Sequence, residues 1–238
     1  MRDSKSVWRF DGAIAPIFDF HVKQSVPGYD RIQESVSELA NFFCEDGAVV
    51  IDLGCATGES LARIQQVVKE KNLRLIGVDE SSDMIQQAMK KTKGMSDFQF
   101  INEKIEDVKL PEDSSVVLSI LTLQFVSQRH RKAVIKKVYE SLGSGGVFIL
   151  VEKTYSKSGC VQEAFTQLYH DFKEREGLDA LEIRAKDKSL RGVMRPLTVA
   201  ENESILKEVG FKNIEMFFRD LHFCGWLAFK EERDANEQ

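Results

Sequence analysis

Two hydrophobic periods alternate along this chain. Residues 48–53, AVVIDL, form a short apolar run broken only by Asp52. Such a run, bounded by turn residues, predicts a strand buried on both faces. The stretch after it, GESLARIQQVVKEK, sets Leu61, Ile64, Val67 and Val68 on one side and predicts an amphipathic helix to about residue 71. LRLIGVD predicts a second strand at 73–79. SSDMIQQAMKK, with its serines and Asp83 in the first turn, predicts a helix to about 92. DFQFIN reads as a third strand at 97–102, EKIEDVKLPED as a loop, and SSVVLSILTLQFV as a fourth strand over 114–124. HRKAVIKKVYESL predicts a helix with Ala133, Ile135, Val138, Tyr139 and Leu142 on one side. Gly143, Gly145 and Gly146 then serve as its C-terminal cap and turn, and a fifth strand follows at 146–153.

The flanks depart from this repeat. Residues 1–27 carry Trp8, Phe10, Ile14, Ile17, Phe18, Phe20 and Val22, too many large apolar groups for an exposed tail. The segment is expected to fold over the body or over a partner subunit. Pro27-Gly28 breaks it, and a helix is predicted over 29–44 with Ile32, Val36, Leu39, Ala40 and Phe43 on one face. Between Ser156 and Met194 lie a helix, VQEAFTQLYHDFKEREG, and a more basic segment, ALEIRAKDKSLRGVM. Pro196-Leu197-Thr198 opens a helix over 198–209 that Gly210 ends. NIEMFFRD and LHFCGWLAFK are the last strands, and the final eight residues are polar and expected to fray.

Composition narrows the class. The 238 residues suit one α/β domain with additions, and 42% hydrophobic with 30% charged residues is the balance of a soluble globular protein. No apolar run approaches the roughly 20 residues of a membrane span, and MRDSKSVWRFDG lacks the apolar core of a secretory signal, so a cytoplasmic protein is expected. Cys44, Cys55, Cys160 and Cys224 are scattered, as are His21, His130, His170 and His222. Neither a disulfide framework nor a metal site is expected. A net charge of −5 argues against broad nucleic-acid binding.

The chemistry gathers at the end of the first strand. Asp52-Leu53-Gly54-Cys55-Ala56-Thr57-Gly58 is a glycine-bearing strand-to-helix turn, and Gly54 and Gly58 allow close backbone approach to a ligand. About twenty residues on, the second strand ends in Asp79, placed to take a ribose diol. An acid inside the turn would repel a pyrophosphate but suits a ligand with a positive amino group. This pattern, followed by GVD, resembles the class I S-adenosylmethionine (SAM) methyltransferases. Ala56 stands where that family most often has its middle glycine. The resemblance implies a Rossmann-like α/β fold: a mostly parallel seven-stranded sheet, helices on both faces and an antiparallel C-terminal hairpin. It implies one SAM-binding domain over 1–238, with a helical cap at 1–45 and a helical insertion at 156–195.

FDFHVKQSVPGYDRI, DLGC, LTLQF, YHDFKEREG and LEI, in that order, carry a narrower resemblance to carboxy-SAM synthase. That family converts SAM and prephenate to carboxy-SAM and phenylpyruvate for wobble-uridine tRNA modification. The resemblance puts Tyr29, Gly54, Cys55, Ala56 and Asp79 on SAM-binding positions. It also marks departures. The family's carboxylate-gripping arginine corresponds to Asp187, its strand-four asparagine to Ile120, and its adenine-loop aspartate to Lys104, beside Glu103. An aspartate against a carboxylate costs about 1–4 kcal/mol, and the lost charge-assisted bonds about 1.5–3 kcal/mol more. The reading that follows is a methyltransferase for a small, anionic molecule; carboxy-SAM synthase with a relocated arginine (Arg184 or Arg191) and a non-catalytic SAM-binding protein are the alternatives.

The cofactor set is Tyr29, Asp52, Gly54, Cys55, Ala56, Gly58, Asp79, Glu80, Lys104, Ile105, Ile120 and Leu121. Asp52 is expected on the amino group, Asp79 on the ribose, and Ile105 over the adenine. Tyr29, Tyr169, His170 and Asp171 are candidates for a base, each also explicable as packing or surface. Arg184, Lys188, Arg191 and Arg195 recur at helical spacing, with Lys186 between them. They read either as an anion-binding stripe or as a solvated face. A homodimer is expected, as the resemblance and the apolar leader imply.

Overall fold

A computed structural model describes residues 14–95 and 97–231. The expectations for Trp8, Phe10 and residues 232–238 lie outside the described residues. A mostly parallel sheet organises the chain. Its strands are β1 Val49–Leu53, β2 Arg74–Asp79, β3 Phe98–Asn102, β4 Ser114–Ile120, β5 Leu142–Tyr155, β6 Leu197–Thr198, β7 Asn213–Asp220 and β8 Phe223–Phe229. The order across the sheet is β3-β2-β1-β4-β5-β8-β7. β1 to β5 pair in parallel, and β8 runs antiparallel against both β5 and β7. The winding of the chain reverses between β1 and β4, which opens a crevice at the strands' carboxyl ends, the usual ligand position in such sheets.

Alternate residues of each strand feed two cores. Val50, Leu75, Val116, Leu118 and Ile149 face helices α2, Tyr29–Phe43, and α3, Glu59–Val67. Ile51, Ile76, Val117, Phe148 and Leu150 face α5, Gln128–Ser141, and α8, Val199–Val209. Each fully buried Val, Leu, Ile or Phe contributes about 1.5–3 kcal/mol, so burial on both faces, not propensity, fixes these strands. The remaining helices are α1 Phe18–Ser25, α4 Ser82–Lys91, α6 Gly159–Arg175 and α7 Ala180–Leu190. No helix of the described residues is long and apolar enough to cross a membrane.

Several boundaries depart from the sequence reading. α3 stops at Val67, because Val68 leaves helical geometry to bury its side chain and Lys71 turns to cap the α2 carbonyls of Asn41 and Cys44 at 2.7 and 2.8 Å. β4 ends at Ile120, not 124; Leu121 takes a φ of +60° and Leu123–Phe125 forms a 3-10 turn. α5 buries Val134 and Arg131 rather than Ala133. Gly143, Gly145 and Gly146 do not cap α5, whose last turn gives way to extended Leu142. They form the bulged start of β5, where a Cβ on Gly146 would sit 3.0 Å from the Ser114 carbonyl. Leu197-Thr198 pairs with β5 as an eighth strand before Thr198 caps α8 through a reciprocal box with Glu201.

Candidate active site

The turn after β1 is held in an unusual shape. Gly54 has a φ of +78°, and a Cβ there would lie 2.3 Å from the Thr122 side chain, so only glycine fits. Gly54 and Cys55 both donate to the Val78 carbonyl, at 2.7 and 3.0 Å. Ala56 sits at φ +45°, a left-handed conformation that costs a non-glycine residue roughly 1–2 kcal/mol. Its N–H donates to Asp79 Oδ2 at 2.9 Å, while Asp79 Oδ1 accepts from Ser81 at 2.9 Å. The two amides aim the carboxylate into the crevice and leave lone pairs for a diol. Burial raises the Asp79 pKa above the usual carboxylate range, against the pull of those amides.

Asp52, at the end of β1, is buried, and its Oδ1 has no hydrogen-bond partner. Burial, with Asp79 nearby, pushes its pKa up to about 7. An unmet buried carboxylate oxygen beside a second acid is a site for a cation.

A cavity of about 720 Å³ opens over these acids. Of the residues named from the sequence, Tyr29, Asp52, Gly54, Cys55, Ala56, Asp79, Glu80, Lys104, Ile105, Ile120, Leu121 and Tyr169 line it. Gly58 does not. At φ +74° it starts α3, and a Cβ there would lie 3.1 Å from Ala88, so its smallness serves helix packing. His170 lies outside too, with Nε2 3.1 Å from Asp187 Oδ2, and Asp171 accepts from Gln167 on the α6 surface. Tyr29 is buried and accepts from Gln33 at 3.0 Å, and burial raises its hydroxyl pKa.

The basic stripe is corrected. Only Arg184 and Lys188 lie in α7; Arg191 caps it and Arg195 follows a turn at Gly192. All four are exposed and none lines the large cavity; Arg184 and Arg191 border a smaller one of about 260 Å³ with His170 and Asp187. Asp187 also faces away from the large cavity, 3.5 Å from Lys173 Nζ. The lysine that enters is Lys186, which lies 2.8 Å from Ser25 Oγ and 2.5 Å from His21 Nε2. Lys153 enters beside it, its Nζ 4.3 Å from the Tyr169 ring centre, with Lys173 4.2 Å from the same ring. Burial, then Lys173 and Lys153, depresses Lys186 to about 7; burial, then Lys173, depresses Lys153 to about 8. Lys153 was passed over because it follows a run of core residues in its strand, and Lys186 was named only as lying among the arginines and lysines of the basic segment. His21, Ser25, Thr57, Glu59, Thr122 and Gln124, also in the lining, carried no distinguishing signal.

The roof is tied down by charge. Lys91 Nζ reaches Asp19 of α1 and Glu59 of α3, both at 2.6 Å, and Thr57 accepts Lys91 while donating to Asp19. Arg63 continues the chain to Glu59 and Asp30 at 2.7 and 2.8 Å. Helix α1 thus lies over the cavity with Phe18, His21 and Val22 in its wall.

A sheet of this order, a glycine turn between acids at adjacent strand ends and a lidded crevice define a class I SAM-dependent transferase of Rossmann-like fold. A family model described as methyltransferase domain matches residues 50–146. Solved structures agree on the fold: human N-acetylserotonin methyltransferase in complex with SAM gives a TM-score of 0.59 at 13% identity, covering 84% of this chain and 51% of that one. The YcgJ protein of Bacillus subtilis gives 0.62 at 14%, covering 86% and 100%. Carboxy-S-adenosyl-L-methionine synthase of Staphylococcus epidermidis is 39% identical over 213 residues, 90% of this chain and 92% of the relative. The synthase of Methylococcus capsulatus is 32% identical over 224 residues, 93% of each. The chain belongs to the carboxy-S-adenosyl-L-methionine synthase family.

Proposed function

We propose that this enzyme makes carboxy-SAM from SAM and prephenate, with Lys186 and Lys153 in the role the family gives to arginine. One observation carries the reading: two half-buried lysines enter the cavity that Asp52 and Asp79 floor, while Asp187, at the arginine's sequence position, faces away. The repulsion from position 187 that favoured a plain methyltransferase is therefore not directed into the cavity.

The residues present fit SAM. Asp52 Oδ1 would accept from the ligand's ammonium, Asp79 would take both ribose hydroxyls, and Lys104-Ile105 would border the adenine. The ligand's sulfonium makes its methyl hydrogens acidic. In the net reaction one methyl C–H bond is replaced by a bond to the carbon of carbon dioxide, which prephenate releases with hydroxide; the proton leaves with that hydroxide as water. The protein's contribution is placement and exclusion of water, which can supply roughly 7–11 kcal/mol. Lys186 and Lys153 would hold carboxylates near the methyl group as ammonium ions, and a bound anion would raise both pKa values. Tyr169, pinned by its hydroxyl to the Ser25 carbonyl at 2.7 Å, would keep Lys153 in place. The α1 cap and the α6–α7 insertion would form the roof, in a cytoplasmic homodimer that binds neither membrane nor nucleic acid.

The test is incubation with SAM and prephenate followed by mass spectrometry of the nucleoside. A product heavier than SAM by one carbon dioxide is expected, and Lys186→Met should lower kcat/KM for prephenate roughly ten- to a hundredfold. Release of S-adenosylhomocysteine with an anionic acceptor, and no carboxylated product, would return the assignment to a methyltransferase using the same cationic end.

A further inference from the structure

The wall of the cavity formed by residues 120–126 is irregular backbone. Leu121 holds a φ of +60°, which an L-residue adopts only under constraint. Ile120, Leu121, Thr122, Gln124, Phe125 and Val126 all line the cavity, and Thr122 abuts Gly54. Two buried charged side chains grip this turn from behind. Neither lines the cavity. Arg131, from α5, donates through Nε to the Val126 carbonyl at 3.0 Å and through Nη2 to the Gln124 carbonyl at 3.1 Å. The same Nη2 reaches the Arg195 carbonyl at 2.5 Å, at the end of the α7 insertion. Glu152, from β5, is buried next to Val151, whose carbonyl accepts from the Leu121 amide at 2.7 Å; burial raises the Glu152 pKa, and Arg131 and the backbone of Leu123, Gln124 and Thr122 pull it back down. Gln124 completes the grip: its side chain donates to the Leu121 carbonyl at 3.1 Å and accepts from the Lys153 amide at 3.0 Å.

Glu152 and Arg131 are expensive to bury, and each keeps one polar atom without a partner, Oε1 and Nη1. Two buried charges of this kind are weak evidence of stability, since apolar side chains would fill the space at less cost. What they supply is direction: one guanidinium collects carbonyls, and one carboxylate sets a negative charge beside the N–H groups, of a turn that no helix or strand ladder fixes. We infer that Glu152 and Arg131 are positioning residues that hold the 121–126 turn in register with the amino-acid end of SAM. The inference rests on the ligand placement proposed above, in which the nucleoside lies toward Asp79 and Ile105 and the amino-acid end toward Asp52 and Leu121. The clamp should then matter for half of the ligand only.

Calorimetry with SAM and with 5′-methylthioadenosine, which lacks the amino-acid arm, reads this directly. Glu152→Leu should raise the Kd for SAM about tenfold while leaving that for methylthioadenosine within about twofold, and Glu152→Gln, which keeps an acceptor, should recover most of the loss. Arg131→Lys, which retains charge but not the forked contacts, should show the same selective loss and decides the matter if Glu152→Leu does not fold. Equal weakening of both ligands, or no weakening of either, overturns the inference. A wild-type protein that binds neither ligand overturns the ligand placement as well.

Discussion

Replacing Asp52 by asparagine should make the free protein more stable and the liganded protein weaker. The side chain is buried, its Oδ1 has no partner, and its pKa is pushed from 3.8 to about 7, by burial first and by Asp79 second. A carboxyl raised on folding costs nothing below its unfolded pKa. The cost grows as pH rises toward the folded value and is complete above it, here reaching up to about 4 kcal/mol. Asp52→Asn removes the charge at nearly constant shape, so the melting temperature of the free variant at pH 7.5 should exceed wild type by several degrees, at about 2–4 °C per kcal/mol for a chain of this size. Ligand binding runs the other way. The ammonium of SAM needs the ionised form, so between pH 6 and 7.5 wild-type affinity should rise roughly eightfold through this group. The variant should lack that component and bind about ten- to a hundredfold more weakly at pH 7.5. Lys186, which titrates near the same pH and repels a cation when protonated, adds its own slope to both proteins. Only the difference between the two calorimetric pH profiles belongs to Asp52. Parallel profiles, or a variant that binds SAM like wild type, would refute the assignment.

Five further outcomes follow from the same geometry. Asp79→Ala should abolish measurable SAM binding by calorimetry and free Ala56 from its anchor, whereas Gly58→Ala should lower the melting temperature with little change in SAM affinity. Lys91→Met should loosen α1, seen as faster amide exchange over 18–25 and a severalfold higher Kd for SAM; its partly exposed ion pairs each contribute no more than about 1 kcal/mol, and added salt should mimic the change. A thiol reagent should modify exposed Cys160 first and Cys55 last, because burial, then Asp52 and Asp79, raises the Cys55 thiol well above the normal range; rapid loss of SAM binding before Cys160 is consumed would contradict this. Asp187→Arg should leave prephenate turnover without gain and destabilise the fold, since it sets a second cation 3.5 Å from Lys173, a residue with almost no exposure to solvent.

How far the fold could be read follows from what enforced each element. The strands at 49–53 and 74–79 were legible because burial on both faces demands an unbroken apolar run, and no other element satisfies it in six residues. The run 114–124 was equally apolar, yet only its first seven residues are strand. Nothing in the local pattern marks Leu121 as the break; the contacts around the turn come from distant residues, Arg131 on the carbonyls of Gln124 and Val126 and Gly54 against Thr122. The glycines at 143–146 misled for the opposite reason. They satisfy a helix-cap rule, but their smallness is used by Ser114 on the neighbouring strand.

The site divides along the same line. The places of Asp52, Gly54 and Asp79 in the cavity were legible because they stand at strand ends, which the apolar runs already locate. The cationic end was not, because α7 presents its charges by helical phase and the sequence gives charge without phase. Ile183 is buried, which turns Arg184 and Lys188 outward and brings Lys186 to the inner side, three residues on. Position 187, one residue further, rotates by about 100° and meets His170 and Lys173 instead. A substitution that reads as the loss of a carboxylate grip therefore falls outside the large cavity, and the proposed grip stands or falls with Lys186 of α7 and Lys153 of β5, which line it.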